Sequence, residues 1–452
     1  MRPTAAAKES FAFILQRALF FSLYDHVIYP LLIFTFHFLA RFHKKIHLGL
    51  EMRKRTSTGI LPWLNWQRHQ HPIWIHCASG EFEYAKPVIR ALKKEQPQTK
   101  IMVTYFSPSF ATEIQNFAGV DFACPVPWDR QNEWLEFLEH HRPQCLLISR
   151  TDVWPNMVRS TRNLRIPSLL FSATVSGNSK KTRGIKRWIN KIILSSLTQV
   201  FCVSEADEEN FKHIGLSYVK AKGDTRYEQV IERLKSPRPI KETLFQSNDP
   251  AKTLIAGSTW KEDEDVLIEV IQQTKDILRY VLVPHEPNLE HLRTLQDNLK
   301  NRDIEFTLYS KDSQWTTPVL IVDQIGFLAE LYQKGIFAFV GGSFKSSVHS
   351  VMEPLAAGSL TFVGPKYTNN REAIEFSNFT MADLSASSPP QVVTAVMIQT
   401  DASSWCSTLK AILHRLDNQN KKNGFEVIRD RILQNEGPSK EVIRWVMENR
   451  IH

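Results

Sequence analysis

The residues of this chain most able to do chemistry gather around Phe337–Ser343 (FAFVGGS) and the following His349-Ser350-Val351-Met352-Glu353-Pro354. The apolar run ends in Gly341-Gly342, which reads as a buried parallel strand entering a tight turn, where glycine permits close backbone approach. A helix is expected to start near His349. Its free N–H groups and partial positive charge suit a phosphate, and Glu353, about one turn deeper, suits a sugar hydroxyl pair. With Leu360–Pro365 (LTFVGP) as the next strand, the order is that of a nucleotide-binding α/β unit. Gly-Gly after a strand also serves packing alone, so this passage by itself does not fix a function.

The elements that must position these residues belong to a chain of 452 residues, long enough for two or three domains. Hydrophobic content of 42% supports sizeable cores, and a net charge of +9 favours an anionic partner: nucleic acid, an anionic membrane surface or a phosphorylated substrate. No stacking-aromatic and basic motif accompanies the charge, which argues against nucleic acid. The five cysteines are odd in number and lack metal-ligand spacing, as expected in a reducing compartment.

Residues 1–55 stand apart. Two apolar runs, Phe11 to Tyr24 and Val27 to Ala40, are interrupted by Gln16, Arg17, Asp25, His26 and Pro30 and followed by Arg41, Lys44, Lys45, Arg53, Lys54 and Arg55. Neither run alone reaches the roughly 20 apolar residues of a bilayer span. The pattern suits a segment lying in a membrane interface with its cations toward anionic lipid; a single span and a helical hairpin packed on the body are the alternatives. From Pro72 the pattern alternates strand and helix. Ile73–His76, Lys100–Thr104, Cys145–Ser149, Ser168–Ser172 and Gln199–Val203 read as strands, with Glu81, Ser107, Asp152 and Trp154 at their C-terminal edge. The basic run Asn178–Lys191 reads equally as a solvated helix face or a phosphate-facing one. Residues 231–250 fit a linker. A second series starts at Thr253 with Gly257-Ser258-Thr259, continues through Tyr280–Pro284 and His285, and ends in a helical tail. The expected domains are 1–55, membrane-associated; 56–230 and 251–452, each Rossmann-like, the second with the C-terminal helices.

Seven passages then coincide in order: Ser79-Gly80-Glu81, Asp152-Val153-Trp154-Pro155-Asn156, Gly223-Asp224-Thr225-Arg226, Gly257-Ser258-Thr259, Val340-Gly341-Gly342-Ser343, His349 with Glu353-Pro354, and Gly364-Pro365 with Asn369. Together they resemble the 3-deoxy-D-manno-octulosonic acid (Kdo) transferases of lipopolysaccharide synthesis, over nearly the whole chain. The resemblance implies an α/β GT-B architecture, two Rossmann-like domains facing across a cleft, and a metal-independent inverting glycosyltransferase that needs no cofactor. It implies CMP-Kdo as donor, a lipid A precursor as acceptor, and a place on the cytoplasmic face of the inner membrane.

By the same resemblance Glu81 is the catalytic base, with Asp152 orienting acceptor or base; capping of the following helix is the plainer reading of Glu81. Ser79, Gly80, Ser107 and Arg150 fall on the acceptor side. Gly342, Ser343 and His349 are expected at the CMP phosphate and Glu353 at the ribose. Ser258, Thr259, His285 and Asn369 complete the donor set; Ser258 also reads as a helix N-cap. Several positions depart from the family pattern. His285-Glu286 stands for Arg-His, Arg150-Thr151-Asp152 for Glu-Thr-Glu, and Ser172-Ala173-Thr174 where Ala-Arg is usual, and around His349 only the histidine of Gly-Gly-His-Asn remains. A divergent member is therefore expected. The alternatives are a GT-B transferase with another activated sugar and an inert membrane-associated homologue.

Overall fold

The computed structural model describes residues 10–55, 59–175, 182–381, 393–415, 423–435 and 437–451. Lys180 and Lys181 of the basic run lie outside them. The chain forms two units, Met1–Gln229 with Gly437–His452, and Val230–Glu436. Each is built on a seven-stranded, wholly parallel sheet.

In the first unit the strands are β1 (Ile73–Cys77), β2 (Ile101–Tyr105), β3 (Phe122–Pro125), β4 (Cys145–Ser149), β5 (Ser168–Ala173), β6 (Gln199–Cys202) and β7 (Val219–Ala221). Their order is β3-β2-β1-β4-β5-β6-β7. Both faces are covered, so the strands are apolar throughout, not alternating. Trp74, Met102, Leu146 and Leu170 pack on one face, and Ile73, Ile75, Val103 and Leu147 on the other.

The second face is completed by a helix from the far end of the sequence. Pro438–Asn449 buries Val442, Ile443, Trp445 and Val446 there, and the Glu228 carboxylate accepts the backbone N–H groups of Gly437 (2.7 Å) and Ser439 (3.2 Å) at its start. This corrects the expectation that the C-terminal helices all belong to the second domain: apolar periodicity marks a helix but not the sheet it covers.

The second unit contains β8 (Thr253–Thr259), β9 (Arg279–Pro284), β10 (Phe306–Leu308), β11 (Val319–Ile321), β12 (Phe337–Val340), β13 (Leu360–Val363) and β14 (Val396–Ile398), ordered β10-β11-β9-β8-β12-β13-β14. Residues 231–250 are not a free linker. The helix Thr225–Lys235 runs across the unit boundary. Leu244 and Phe245 join the core of the second unit, and Glu330 binds both the Arg233 guanidinium (3.1 Å) and the Arg238 backbone N–H (3.2 Å).

The two N-terminal apolar runs form one continuous helix, Phe11–Leu39, 29 residues long and apolar enough to cross a membrane. The expected break is absent because the turn Tyr24–Ile28 widens into a π-helix, and Pro30 then occupies the first turn of the next segment, where its missing N–H costs little. One side is docked on the first unit: Phe20, Phe21, Tyr24 and Tyr29 are buried with Ile192. The docking is polar as well as apolar. Buried Asp129 accepts from Tyr24 Oη (2.8 Å), Trp134 Nε1 (2.7 Å), and the backbone N–H groups of Asn156 (3.1 Å) and Met157 (3.0 Å). Asp25 pairs with Asn156 Nδ2 (2.7 Å) and Arg159 (2.9 Å). The other side is an unbroken apolar stripe at helical spacing, from Phe11 (81% exposed) through Leu15, Leu19, Leu23, Val27 and Leu31 to Phe34 (69%). Asp129→Ala leaves four buried donors without an acceptor. It is expected to reduce the unfolding free energy of the first unit by about 3 kcal/mol, measured by urea denaturation; a loss below about 1 kcal/mol contradicts this role for Asp129.

Candidate functional site

Strand order reverses between β1 and β4 in the first unit and between β8 and β12 in the second. Loops diverge at such points and leave a crevice beyond the strand ends. The expected residues divide between these two places.

In the first unit Ser79, Gly80 and Glu81 leave β1, and Arg150 and Asp152 leave β4. The helix Phe82–Glu95 starts at once after Glu81, whose backbone is already helical (φ −61, ψ −11) and whose side chain makes no capping bond. Glu81 Oε2 instead accepts the Ser79 backbone N–H at 2.9 Å. The Ser149 hydroxyl donates to the Glu81 carbonyl at 2.8 Å, fixing the loop to β4. Glu81 is thus a half-buried carboxylate held by its own loop, not a helix cap.

Asp152 ends a buried chain absent from the sequence-based expectations. The Trp74 Nε1–H donates to Thr104 Oγ1 (2.9 Å), Thr104 Oγ1 meets His76 Nδ1 (2.9 Å), and His76 Nε2 meets Asp152 Oδ2 (3.0 Å). The Trp154 indole donates to the same oxygen at 3.0 Å. Burial pushes the Asp152 carboxyl up, but the hydrogen bonds from His76 and Trp154 and the His76 charge outweigh it and hold the group below its ordinary value. An ionised carboxylate pinned this way orients and polarises; it is ill suited to taking a proton.

Ser107 lies on the adjacent β2 loop, its Oγ accepting the Ser109 N–H at 3.4 Å as cap of a short turn. Arg150, at φ +69, bonds the Tyr84 hydroxyl and sits 4.9 Å over the Tyr84 ring. Arg226 lies 5.7 Å from the centre of the same ring. Two cations on one ring beside Glu81 make an anion-attracting edge. Arg226 belongs to a passage singled out by resemblance, but only the fold brings it to Tyr84.

The second unit corrects several expectations. Gly341 is obligatory: a Cβ there would lie 2.2 Å from the Ser258 carbonyl oxygen, and Gly342 has φ +87. Yet the Gly342 N–H is not free for a phosphate. It donates to Asp263 Oδ2 at 2.7 Å, and the same carboxylate accepts from Phe344 N (3.0 Å) and Trp260 N (3.0 Å). Burial raises the Asp263 carboxyl above its ordinary value, against these three backbone hydrogen bonds. Ser343 is fully buried; its hydroxyl donates to Val340 O (3.1 Å) and accepts from Gly364 N (2.7 Å). The Thr259 hydroxyl donates to buried Glu264 (2.7 Å), which His291 contacts at 2.9 Å. Both ends of the Asn369 amide bond Val348, at 3.1 and 3.0 Å. Gly342, Ser343, Thr259 and Asn369 therefore shape the loops and do not offer free groups. The helix expected near His349 starts at Met352 and is one short turn and a half, Met352–Ala356.

The groups left available are others. Glu353 is half-buried, and its carboxylate has no hydrogen-bond partner among the described residues. Ser258 is not the cap of the next helix; Trp260 is, and Ser258 sits at φ +55 with its hydroxyl unpaired among the described residues. His285 stacks on His349 (centroids 4.4 Å, 12°) and packs at a tilt against Trp260 (4.8 Å, 32°), and Lys345 Nζ lies 3.4 Å from the Trp260 ring centre. His285 and His349 are among the expected donor residues; Trp260 and Lys345 are not, and only folding brings the four together.

A sequence profile of the family 3-deoxy-D-manno-octulosonic-acid transferase (kdotransferase) matches residues 50–229. The 3-deoxy-D-manno-octulosonic acid transferase of Rickettsia felis is 26% identical over 71% of this chain and 70% of its own length. The transferase of the same name from Aquifex aeolicus is 27% identical over 66% of this chain and 76% of its own. Among solved structures, UDP-GlcNAc 2-epimerase from Neisseria meningitidis superposes with a TM-score of 0.56 at 14% identity, covering 83% of this chain and 99% of that one, which shows a shared two-Rossmann fold of GT-B type. These matches support a divergent Kdo transferase, a glycosyltransferase.

Two of the departures from the family pattern, at His285 and around His349, meet in the ring cluster. His349 Nε2 accepts the Trp260 indole N–H at 3.0 Å. Burial, with the charges of His285 and Lys345, brings His349 down to about 4. It is a neutral imidazole at pH 7, not the cation a phosphate would prefer. A histidine depressed in the folded state stabilises fully above its ordinary value near 6.5, and that contribution is lost as pH falls through about 4. Proton NMR titration is expected to place the His349 ring near 4 and to move it upward in Lys345→Ala; a wild-type midpoint near 6.5 contradicts the burial described.

Proposed function

We propose that this chain transfers Kdo from CMP-Kdo to a hydroxyl of a lipid A precursor, with inversion, at the cytoplasmic face of the inner membrane. The observation that carries the reading is Glu81: a carboxylate at the β1/β4 crevice with one oxygen held by the Ser79 N–H and the other without a partner among the described residues. In this reaction the acceptor oxygen forms a bond to the anomeric carbon, the bond from that carbon to the phosphate oxygen breaks, and CMP leaves with the electron pair. Glu81 takes the acceptor's proton as the bond forms. Asp152, kept ionised through His76, orients the acceptor, and Arg150 with Arg226 attracts its anionic groups.

The second unit binds the donor. Glu353 takes the ribose hydroxyls. Ser258, His285 and Lys345 face the leaving phosphate and stabilise the charge that develops on it. Trp260 supports the face of that site, while Asp263 and Gly341 hold its loops. Likeness to the Kdo transferases supports the donor. The exposed stripe on Phe11–Leu39 supports a lipid-anchored acceptor within reach of the membrane surface.

Glu81→Gln keeps size and hydrogen bonding but cannot take a proton. It is expected to lower kcat at least about 100-fold while thermal stabilisation by CMP stays at the wild-type level. Unchanged transfer by the variant overturns Glu81 as base, and stabilisation by UDP in place of CMP overturns the donor.

A further inference from the structure

Outside both crevices, the first unit has a cavity of about 920 Å³ where the long N-terminal helix turns into the helix Lys44–Glu51. Arg41, Lys44, Arg53 and Lys54 line it, with a single carboxylate, Glu51, which Lys54 binds at 2.6 Å. Arg53 is the unusual member. Only 5% of it is exposed. It donates to three backbone carbonyls, of Gly49 (2.7 Å), Phe106 (3.0 Å) and Val126 (3.2 Å). Its guanidinium also stacks on Phe106 (4.7 Å) and Trp128 (5.1 Å). Among the described residues no carboxylate forms an ion pair with it. Glu133 acts on it only without an ion pair, and a buried cation with no paired counter-charge is costly. Of the five N–H donors of a guanidinium, these carbonyls use three. Burial accordingly brings Arg53 down to about 10.

We infer that this cavity is a binding site for a phosphate group carried on a lipid, with Arg53 as its floor and Arg41 and Lys44 as its rim. The lack of an ion-pair partner, among cations that outnumber the one carboxylate of the lining, points to an anion, and the planar fork of a guanidinium matches phosphate oxygens. The lipid source follows from the surroundings. Phe42, on the cavity wall, is 69% exposed, and the stripe ending in Phe34 and Phe38 leads to the same rim. A free anion has no use for that apolar approach. The inference rests on the membrane-associated reading above, but it adds a defined pocket to what was only a charged surface.

The test is flotation of the full-length protein with phosphatidylcholine vesicles with and without phosphatidic acid. Wild type is expected to bind the vesicles containing phosphatidic acid preferentially. Arg41→Ser/Lys44→Ser, both exposed and outside the catalytic machinery, is expected to weaken that binding roughly 30-fold. Lys94→Ser/Lys100→Ser removes the same charge from the opposite end of the β-sheet and is expected to change it less than about 3-fold. Equal losses in the two variants, or no loss in the first, overturn the pocket. Displacement of wild type by millimolar inorganic phosphate reassigns it to a free anion and overturns the lipid. Thermal stabilisation by CMP, followed in the same preparations, keeps the two readings apart. If CMP stabilises while the rim variant binds normally, only the pocket falls; if CMP has no effect while the rim variant alone loses binding, only the donor falls.

Discussion

The carboxylate of Asp263 accepts hydrogen bonds from the backbone N–H groups of Trp260, Gly342 and Phe344. That grip decides the form of the second unit's crevice. It draws the loop after β12 onto the loop after β8, so closely that Gly341 has no room for a side chain against the Ser258 carbonyl. It also uses the amide that a glycine-rich turn would otherwise offer to a phosphate. In the proposed reading donor recognition falls instead to side chains: Glu353, Ser258, His285 and Lys345 on its Trp260 support. A buried backbone N–H has to be paired, and when the protein pairs it internally the ligand must be met by something else.

The first unit solves its positioning problem in a similar way, with buried polar groups behind the working ones. Trp74, Thr104 and His76 form a chain whose last link holds Asp152. Asp129 gathers four donors and in doing so fastens the long N-terminal helix to the body. Rigidity at the crevice and attachment of the apolar helix therefore come from the same kind of interaction. The helix is left with one face bound and one face open. That is the arrangement of a segment able to meet a bilayer from the side while its polar residues, Asp25 above all, stay engaged with protein.

Much of this was legible from residue order. Uninterrupted apolar runs ending in small residues announced parallel strands buried on both faces, and the passages around Glu81 and Glu353 pointed to the two strand-reversal edges. What escaped was partnership across long separations. Nothing near Gly342 or Ser343 indicates that Asp263 and Gly364 satisfy their backbone and hydroxyl groups, so a strand–glycine pattern was read as a phosphate cradle. Asn369 and Thr259 were misread for the same reason, because their partners, Val348 and Glu264, are fixed by folding and not by motif. Pro30 and Asp25 looked like breaks in an apolar run, but a π-turn absorbs the first and Arg159 with Asn156 pairs the second. The Pro438–Asn449 helix returns to the first sheet because Glu228 caps it, a contact between residues far apart in the chain.

The central claim is that a cytidylate-activated Kdo residue is joined to a phosphorylated glucosamine lipid by this protein. The most direct measurement is mass spectrometry of the lipid after incubating purified protein with CMP-Kdo and tetraacylated lipid A precursor. The account predicts a product heavier than the precursor by one or more Kdo residues, formed together with free CMP. Recovery of the precursor at its original mass, with CMP-Kdo consumed by nothing faster than its own hydrolysis, would contradict it.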